Sequence, residues 1–217
     1  MKAVLWDLDD TLLETLPGRM QALAHAHERC VGTRTDPVAL WRSHRGGTLE
    51  DLGRRLLGED YRRFAAIYRE YYYREVRRAD AYAGVEGVLR ACLAAGVPMA
   101  VVTSKVSWGA IDELGRAGLL QYFAAVVGFD DTELHKPDPE PVFAALDRML
   151  VDDAEGVLFV GDSPADIMAA RNAGCRSVAA MWGTLDSELL LDVYPDHVAQ
   201  RPGDILELLS SAAGAAR

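Results

Sequence analysis

The sequence predicts an α/β protein, built as a doubly wound parallel sheet with an inserted helical segment. The chain begins with a short apolar run, Ala3–Trp6, whose composition is that of a buried parallel strand. After Tyr82 the periodicity alternates between strand and helix, the signature of a parallel sheet with crossover helices. The segment between these parts contains no strand-like run. We therefore expect a Rossmann-like core domain from residues 1–15 and 82–217, and a helical cap domain from residues 16–81.

Acidic residues follow the first strand directly. Asp7, Asp9 and Asp10 come after Trp6, and Thr11 closes the turn. These carboxylates lie at the carboxyl end of a strand, the edge at which open α/β sheets bind ligands. Two carboxylates about 4 Å apart repel by about 4 kcal/mol at an effective dielectric of 20, so the group needs a cation, a shared proton or solvent. A metal ion is the simplest solution, and an Asp-rich turn that merely ends the strand is the alternative.

The inserted segment is predicted to be a series of helices. Helical spacing begins at Arg19, after a junction marked by Pro17 and Gly18. Later helix starts carry capping residues, namely Asp36 before Pro37, the capping-box pair Thr48 and Asp51, and Asp60. A long amphipathic helix capped by Asp60 is expected next, because apolar residues from Phe64 to Val76 repeat at three and four residues.

The rest of the chain alternates between strands and helices. Predicted strands cover 98–102, 124–127, 157–160, 177–180 and 197–199. Predicted helices cover 85–95 and 108–117, a segment from Pro139, a segment ending at Ala173, and 205–211. Because parallel strands point the same way, the polar residues that follow them meet at one edge of the sheet.

Polar side chains follow the strands at four places along the chain. They are Asp7 and Asp9, Thr103 and Ser104, Lys136, and Asp162 with Asp166. Carboxylates, a hydroxyl and an ammonium together suit a phosphoryl group and a hard cation. A carboxylate can attack phosphorus to form an aspartyl phosphate, and a second carboxyl can protonate the leaving alkoxide and later activate water.

These residues resemble the four sequence motifs of the haloacid dehalogenase superfamily, in its phosphoglycolate phosphatase-like branch with a helical cap. The motif D-x-D-x-T is matched by Asp7, Asp9 and Thr11, and an apolar strand ending in Thr or Ser by V-V-T-S at 101–104. The third motif is Lys136 in K-P-D-P, and the fourth is G-D-S-P-A-D at 161–166. The resemblance covers essentially the whole chain. One departure is Asp10, where many relatives have Gly.

The resemblance implies a Mg²⁺-dependent phosphatase that acts on a small, phosphoglycolate-like phosphomonoester. Asp7 would be the nucleophile and Asp9 the general acid and base. Phosphoryl oxygens would be held by Thr103, Ser104 and Lys136, and Mg²⁺ by Asp7, the Asp9 backbone carbonyl and Asp162. Asp166 is a further candidate metal ligand, with helix capping at position N3 as its structural alternative.

The predicted cap is rich in arginine. Between Glu14 and Tyr82 there are thirteen Arg, no Lys and ten acidic residues, a net charge of +3, while the remainder carries −13. Arg45 lies in the loop His44-Arg45-Gly46-Gly47, and we predict that it binds a part of the substrate remote from the phosphate. A solvated loop arginine is the alternative.

The whole-chain composition limits the partners that we expect. A net charge of −10 argues against nucleic acid and against an anionic membrane surface. No apolar stretch approaches the ~18 residues of a membrane span, and three widely spaced Cys fit a reducing compartment. We expect a cytoplasmic enzyme, a monomer or homodimer, whose partner is a small phosphorylated metabolite.

Other kinds of protein would carry similar residues. A phosphosugar mutase or a pyrophosphatase of the same superfamily would share these motifs. A phospho-accepting signalling module also combines an acidic cluster, a hydroxyl and a lysine, but its phosphorylated Asp lies in the middle of the chain, whereas Asp7 follows the first strand. Sustained release of phosphate would favour the phosphatase.

Overall fold

The computed structural model describes residues 1–44, 48–77 and 80–214. The chain divides into two compact units, one of Met1–Glu14 with Ala79–Arg217 and one of Thr15–Arg78. The first unit is α/β and the second is helical. Among the helices in the described ranges, none is both long and apolar enough to cross a membrane.

A six-stranded sheet forms the centre of the first unit. Its strands are β1 Ala3–Trp6, β2 Met99–Val102, β3 Ala125–Val127, β4 Val157–Gly161, β5 Arg176–Ala180 and β6 His197–Ala199. The spatial order is β3-β2-β1-β4-β5-β6, and all neighbouring strands are parallel. The chain therefore builds outwards on one side of β1 and then on the other, which makes the β1–β4 junction the topological switch point. Observed and predicted strand ends differ by at most one residue.

Within the residues that the structure describes, the second unit contains four α-helices. They are α1 Leu16–Val31, α2 Pro37–His44, α3 Leu49–Leu57 and α4 Tyr61–Tyr71, and α4 continues into a π-helical turn, Tyr72–Val76. Their apolar faces pack around a small core in which Leu23, Leu52 and Phe64 are fully buried.

Two details of the predicted cap helices are wrong. α1 begins at Leu16 rather than Arg19, so Pro17 and Gly18 lie in its first turn, where the missing N–H of proline costs nothing. The long helix expected after Asp60 is present as α4 with its π-helical turn, but the Asp60 side chain makes no capping hydrogen bond at its start. The capping box of Thr48 and Asp51 is present.

The remaining helices cover the sheet. They are α5 Val85–Ala94, α6 Ser107–Arg116, α7 Glu140–Arg148, α8 Pro164–Ala173, α9 Ser187–Asp192 and α10 Ile205–Gly214. Alternate residues of β1 belong to two different apolar clusters, Val4 and Trp6 to one and Ala3 and Leu5 to the other. Because both faces of the sheet are buried, the unit has the doubly wound α/β architecture that the sequence predicts.

Candidate active site

The turn after β1 is tightly closed by its own backbone. Asp7 N–H donates to the Val160 carbonyl at 2.9 Å, which extends the pairing with β4, and Asp10 N–H donates to the Leu13 carbonyl at 2.7 Å. Asp10 has a φ of 64°, the left-handed region that favours glycine. Asp is one of the few other residue types that adopt this region. Asp10 can therefore occupy the position at which many relatives have Gly.

The loop after β5 packs directly on this turn. Trp182 Nε1–H donates to the Thr11 carbonyl at 2.9 Å. A Cβ on Gly183 would lie only 1.6 Å from the Asp10 carbonyl oxygen, so the two backbones approach as closely as glycine allows. On the other side of the turn, Thr11 Oγ1–H donates to Asp162 Oδ1 at 3.1 Å. The turn is thereby held by two other strand ends.

Lys136 connects the acidic groups at the switch point. Its buried ammonium lies 2.6 Å from Asp7 Oδ1 and 2.6 Å from Asp166 Oδ1, and it donates to the Val102 carbonyl at 3.1 Å. One cation therefore joins the ends of β1 and β2 to the start of α8. Charge-assisted bonds of this length are the strong class of hydrogen bond.

Burial and charge shift the proton equilibria of this pair. Burial raises the pKa of Asp7 to about 7, and repulsion from Asp166 adds to that rise, although Lys136 opposes it. Burial by itself would lower the pKa of Lys136, but the carboxylates of Asp166 and Asp7 raise it above its ordinary value. Lys136 therefore stays charged, and Asp7 gives up its proton more readily once a further cation binds.

Three carboxylates are arranged to hold such a cation. Asp7, Asp162 and Asp166 each offer an oxygen, and these oxygens lie within 4.8 Å of one another. Carboxylate oxygen is the donor type that Mg²⁺ prefers, and a divalent ion would relieve the repulsion that Lys136 leaves uncompensated. The donor set therefore fits Mg²⁺. Coordination by the Asp9 backbone carbonyl stays a prediction.

Asp166 caps α8, which is one of the two roles that the sequence left open, and metal binding, the other role, stays a prediction. Its Oδ2 accepts from Ser163 N–H at 3.1 Å and from Ser163 Oγ–H at 2.6 Å, which caps α8, while its Oδ1 bonds to Lys136. A Cβ on Gly161 would lie 2.3 Å from the Asp166 Cβ. The close packing of Asp166 against the end of β4 therefore requires glycine at position 161.

The predicted phosphate-binding hydroxyls lie at the end of β2. Thr103 is buried, its N–H donates to the Val127 carbonyl at 2.9 Å, and its Oγ1 accepts from Lys105 N–H at 3.1 Å. Ser104 is exposed. Arg45 lies outside the described residues, and its role stays a prediction.

Two charged residues at this edge were missed by the sequence interpretation. Lys105 Nζ lies 2.8 Å from Asp9 Oδ1, and the same ammonium donates to Glu113 Oε2 of α6. Glu113 is fully buried. A signal was available, because Glu113 falls on the apolar face of a predicted helix, and Lys105 is one of only three lysines in the chain.

Comparison with known proteins identifies a family. The family model described as haloacid dehalogenase-like hydrolase matches residues 4–180. PpaX of Caldanaerobacter subterraneus, a provisionally named pyrophosphatase, is 34% identical over 95% of this chain and 94% of its own length. A phosphoglycolate phosphatase of Pectobacterium atrosepticum is 31% identical over 96% of this chain and 92% of its own. A crystal structure from Haemophilus somnus, described as a predicted phosphoglycolate phosphatase, is 26% identical with a TM-score of 0.85, over 96% of this chain and 98% of that one.

A parallel sheet with an acidic cluster at its switch point defines an α/β enzyme that works at the carboxyl edge of the sheet. Within that class, the chain belongs to the haloacid dehalogenase-like hydrolase family. The family and the fold class predicted from sequence are confirmed, and so is the prediction that the chain is an enzyme, a hydrolase.

Proposed function

We propose that this hydrolase is a Mg²⁺-dependent phosphatase that cleaves a small phosphomonoester through an aspartyl phosphate on Asp7. The observation that carries the proposal is the buried Asp7 carboxylate, bonded to Lys136 at 2.6 Å and grouped with Asp162 and Asp166. A carboxylate nucleophile beside a fixed cation, with further carboxylates able to hold a metal ion, is an arrangement suited to phosphoryl transfer.

In the first half-reaction an Asp7 carboxylate oxygen attacks phosphorus, and the bond from phosphorus to the leaving oxygen breaks. The carboxyl of Asp9 gives its proton to that oxygen, so the alcohol leaves neutral. Thr103, Ser104 and Lys136 would bind the phosphoryl oxygens whose charge changes during transfer. Mg²⁺, bound by Asp7, Asp162 and Asp166, would supply charge neutralisation and orient the phosphoryl group.

In the second half-reaction water attacks the phosphoryl group, and Asp9 accepts the proton that the water loses. The bond between phosphorus and Asp7 breaks, which releases inorganic phosphate and restores the carboxylate. Asp9 then carries the proton needed for the next ester. Splitting the hydrolysis into two steps lowers the barrier that direct attack by water would meet.

For the substrate we propose a phosphoglycolate-like ester, with inorganic pyrophosphate as the second candidate. The phosphoglycolate phosphatase of Pectobacterium atrosepticum, at 31% identity, supports the first, and PpaX, at 34% identity, supports the second. Three free thiols and the acidic composition support a soluble enzyme of the cytoplasm acting on a small metabolite.

A panel of phosphate compounds tests this function. The purified protein is assayed for phosphate release from 2-phosphoglycolate, pyrophosphate, a sugar phosphate and p-nitrophenyl phosphate, with Mg²⁺ or with EDTA. We expect Mg²⁺-dependent release with multiple turnovers, and a loss of about four to six orders of magnitude in Asp7→Asn. No release from any compound, or activity of Asp7→Asn within tenfold of the parent, would refute the proposal. Higher kcat/KM for pyrophosphate than for every ester would favour the second candidate.

A further inference from the structure

A buried series of charges runs from α6 to the side chain of Asp9. The Lys105 ammonium lies 2.8 Å from Asp9 Oδ1 and also donates to Glu113 Oε2. Glu113 is fully buried, and only 8% of the Lys105 side chain is exposed. One lysine therefore joins a buried glutamate to the residue that we propose as general acid and base.

Stability alone gives no reason to bury these charges. Two ions removed from water lose hydration that their mutual attraction seldom returns in full, and an apolar pair of similar volume is often at least as stable. On α6, Glu113 lies beside Ala110 and Leu114, which are both fully buried in an apolar cluster. An apolar side chain at position 113 would simply extend that cluster.

Lys105 is also held at its backbone. Its N–H donates to Thr103 Oγ1 at 3.1 Å, and its carbonyl accepts from Phe129 N–H at 2.8 Å. A Cβ on Gly128 would lie 2.7 Å from that carbonyl oxygen, so the segment that follows β3 approaches Lys105 closely. Lysine is a flexible side chain that loses entropy when it is fixed. Here the backbone bonds and Glu113 together hold the ammonium in one place.

We propose that Lys105, held by Glu113, is a positioning residue that fixes the carboxyl group of Asp9 for proton transfer. The proposal rests on the function given above, in which Asp9 protonates the leaving oxygen and then accepts a proton from water. A carboxyl free to rotate would spend part of its time turned away from the leaving oxygen, whereas the ion pair with Lys105 favours one orientation. In this role Lys105 contacts no reacting atom.

Direct binding of an anionic substrate group is the rival role for Lys105. That role would raise KM for anionic esters, whatever their leaving group. Positioning of Asp9 instead lowers the rate of steps that need a proton and leaves other steps nearly unchanged. The leaving group of the ester therefore separates the two roles.

The main variant is the double substitution Lys105→Met with Glu113→Gln. Lys105→Met alone would leave Glu113 charged and buried without this cation, which can unfold the protein, whereas the double variant removes both charges at similar volume. Lys2→Met is the matched control, because Lys2 forms an exposed ion pair with Asp153. Asp9→Asn is the benchmark for lost proton transfer.

Alcohol release is followed by quenched flow in a single turnover with two esters. p-Nitrophenyl phosphate releases a phenolate that needs no proton, while 2-phosphoglycolate releases an alkoxide that does. We expect the double variant to release glycolate roughly 10- to 100-fold more slowly, a smaller loss than the 10²–10⁴-fold that complete removal of general acid catalysis would cause. The rate of p-nitrophenolate release should stay within about threefold of the parent rate. Phosphate release should then be slow, because Asp9 must also activate water in the second half-reaction. Lys2→Met should behave as the parent with both esters.

Each other outcome would overturn the positioning role. Equal slowing of both esters would mean that the charges support only the local structure. A rise in KM, measured at steady state, with unchanged single-turnover release rates would assign Lys105 to substrate binding. If the parent releases neither alcohol, the proposed phosphatase function fails. If Asp9→Asn shows the expected dependence on leaving group and the double variant does not, the inference about Lys105 fails by itself.

Discussion

Gly183 shows how closely the parts of the active site are fitted together at the level of single residues. A Cβ at this position would lie 1.6 Å from the Asp10 carbonyl oxygen, and neighbouring Trp182 bonds to the Thr11 carbonyl. An added methyl group must therefore displace the turn that carries Asp9 or the loop that supports it. Because the displaced atoms are backbone, no change of side-chain rotamer can relieve the overlap.

We expect Gly183→Ala to lower kcat/KM for any ester by about a hundredfold, since displacement of catalytic groups by about 1 Å costs this much. It should also lower the free energy of unfolding by more than about 2 kcal/mol. Gly115→Ala is the control, because its Cβ would meet nothing within 4 Å in α6, and it should raise stability by about 0.5–1 kcal/mol. Urea unfolding and steady-state assays measure both effects. Near-normal activity of Gly183→Ala would mean that the close approach has no bearing on catalysis.

At the residue scale, the sequence revealed groups that follow strands and missed a group inside a helix. Asp7 and Asp162 could be predicted to converge, because parallel strands end at one edge and these residues directly follow the apolar runs, and Lys136 because it ends the polar loop after β3. The pairing of Lys105 with Glu113 depends on how α6 is rotated against the sheet. Periodicity identifies the apolar face of a helix but does not show which partner a single charge on that face will meet.

At the scale of elements, Asp131 joins three parts of the α/β unit. Its carboxylate accepts from Ser107 Oγ–H at the start of α6, from Gly128 N–H after β3, and from Arg148 at the end of α7, at 2.6 to 2.8 Å. Burial by itself would raise the pKa of Asp131, but the hydrogen bonds from Arg148 and Ser107 hold this pKa below its ordinary value of 3.8.

We expect Asp131→Asn to lower the free energy of unfolding at pH 7 by about 1.5–3 kcal/mol, the usual contribution of charge-assisted bonds. A depressed carboxyl pKa contributes stability above its unfolded value, and this contribution is lost as pH falls through the folded value. The difference between parent and variant should therefore shrink as the pH drops below 3.8. Asp112→Asn, in a more exposed ion pair with Arg116, should cost no more than about 0.5 kcal/mol. Urea titrations at several pH values measure the difference in free energy of unfolding between the parent and Asp131→Asn. A difference that does not depend on pH would contradict a stabilising role for the ionised Asp131 carboxylate.

Helix boundaries were predicted where a local signal exists and missed where it does not. The capping box of Thr48 and Asp51 is a local pattern and is present. Proline followed by glycine resembles a junction, but proline in the first turn is equally compatible with a helix, so the start of α1 was misplaced. α9 spans only six residues and was not predicted, since fewer than two turns give no clear periodicity.

At the scale of the whole molecule, Mg²⁺ binding should contribute to the stability of the fold. At a free concentration a hundredfold above Kd, a ligand that binds only the folded state adds about 2.7 kcal/mol, which corresponds to roughly 5–10 °C in Tm for a chain of this size. Burial raises the pKa of Asp7 to about 7, so below that pH the metal must displace a proton. The rise in Tm should therefore be larger at pH 8 than at pH 6.

Thermal unfolding with and without Mg²⁺ measures this effect. Asp162→Asn should lose most of the rise in Tm, because it removes one of the three carboxylates of the cluster. Asp153→Asn is the control, since Asp153 pairs with Lys2 in an exposed ion pair, and it should retain the full rise. A rise in Tm that is unchanged in Asp162→Asn, or that is larger at pH 6, would place the metal elsewhere.

The most direct measurement concerns the covalent intermediate on Asp7. Asp9→Asn is mixed with p-nitrophenyl phosphate and Mg²⁺, quenched in acid and digested with trypsin. The leaving group needs no proton, and an amide at position 9 cannot activate water, so the phosphoenzyme should accumulate. We predict a burst of p-nitrophenolate together with one phosphoryl group on the peptide spanning residues 3–19, located at Asp7 by fragmentation. A burst without a phosphorylated peptide, or a phosphoryl group on any other residue, would contradict the assignment of Asp7 as the nucleophile.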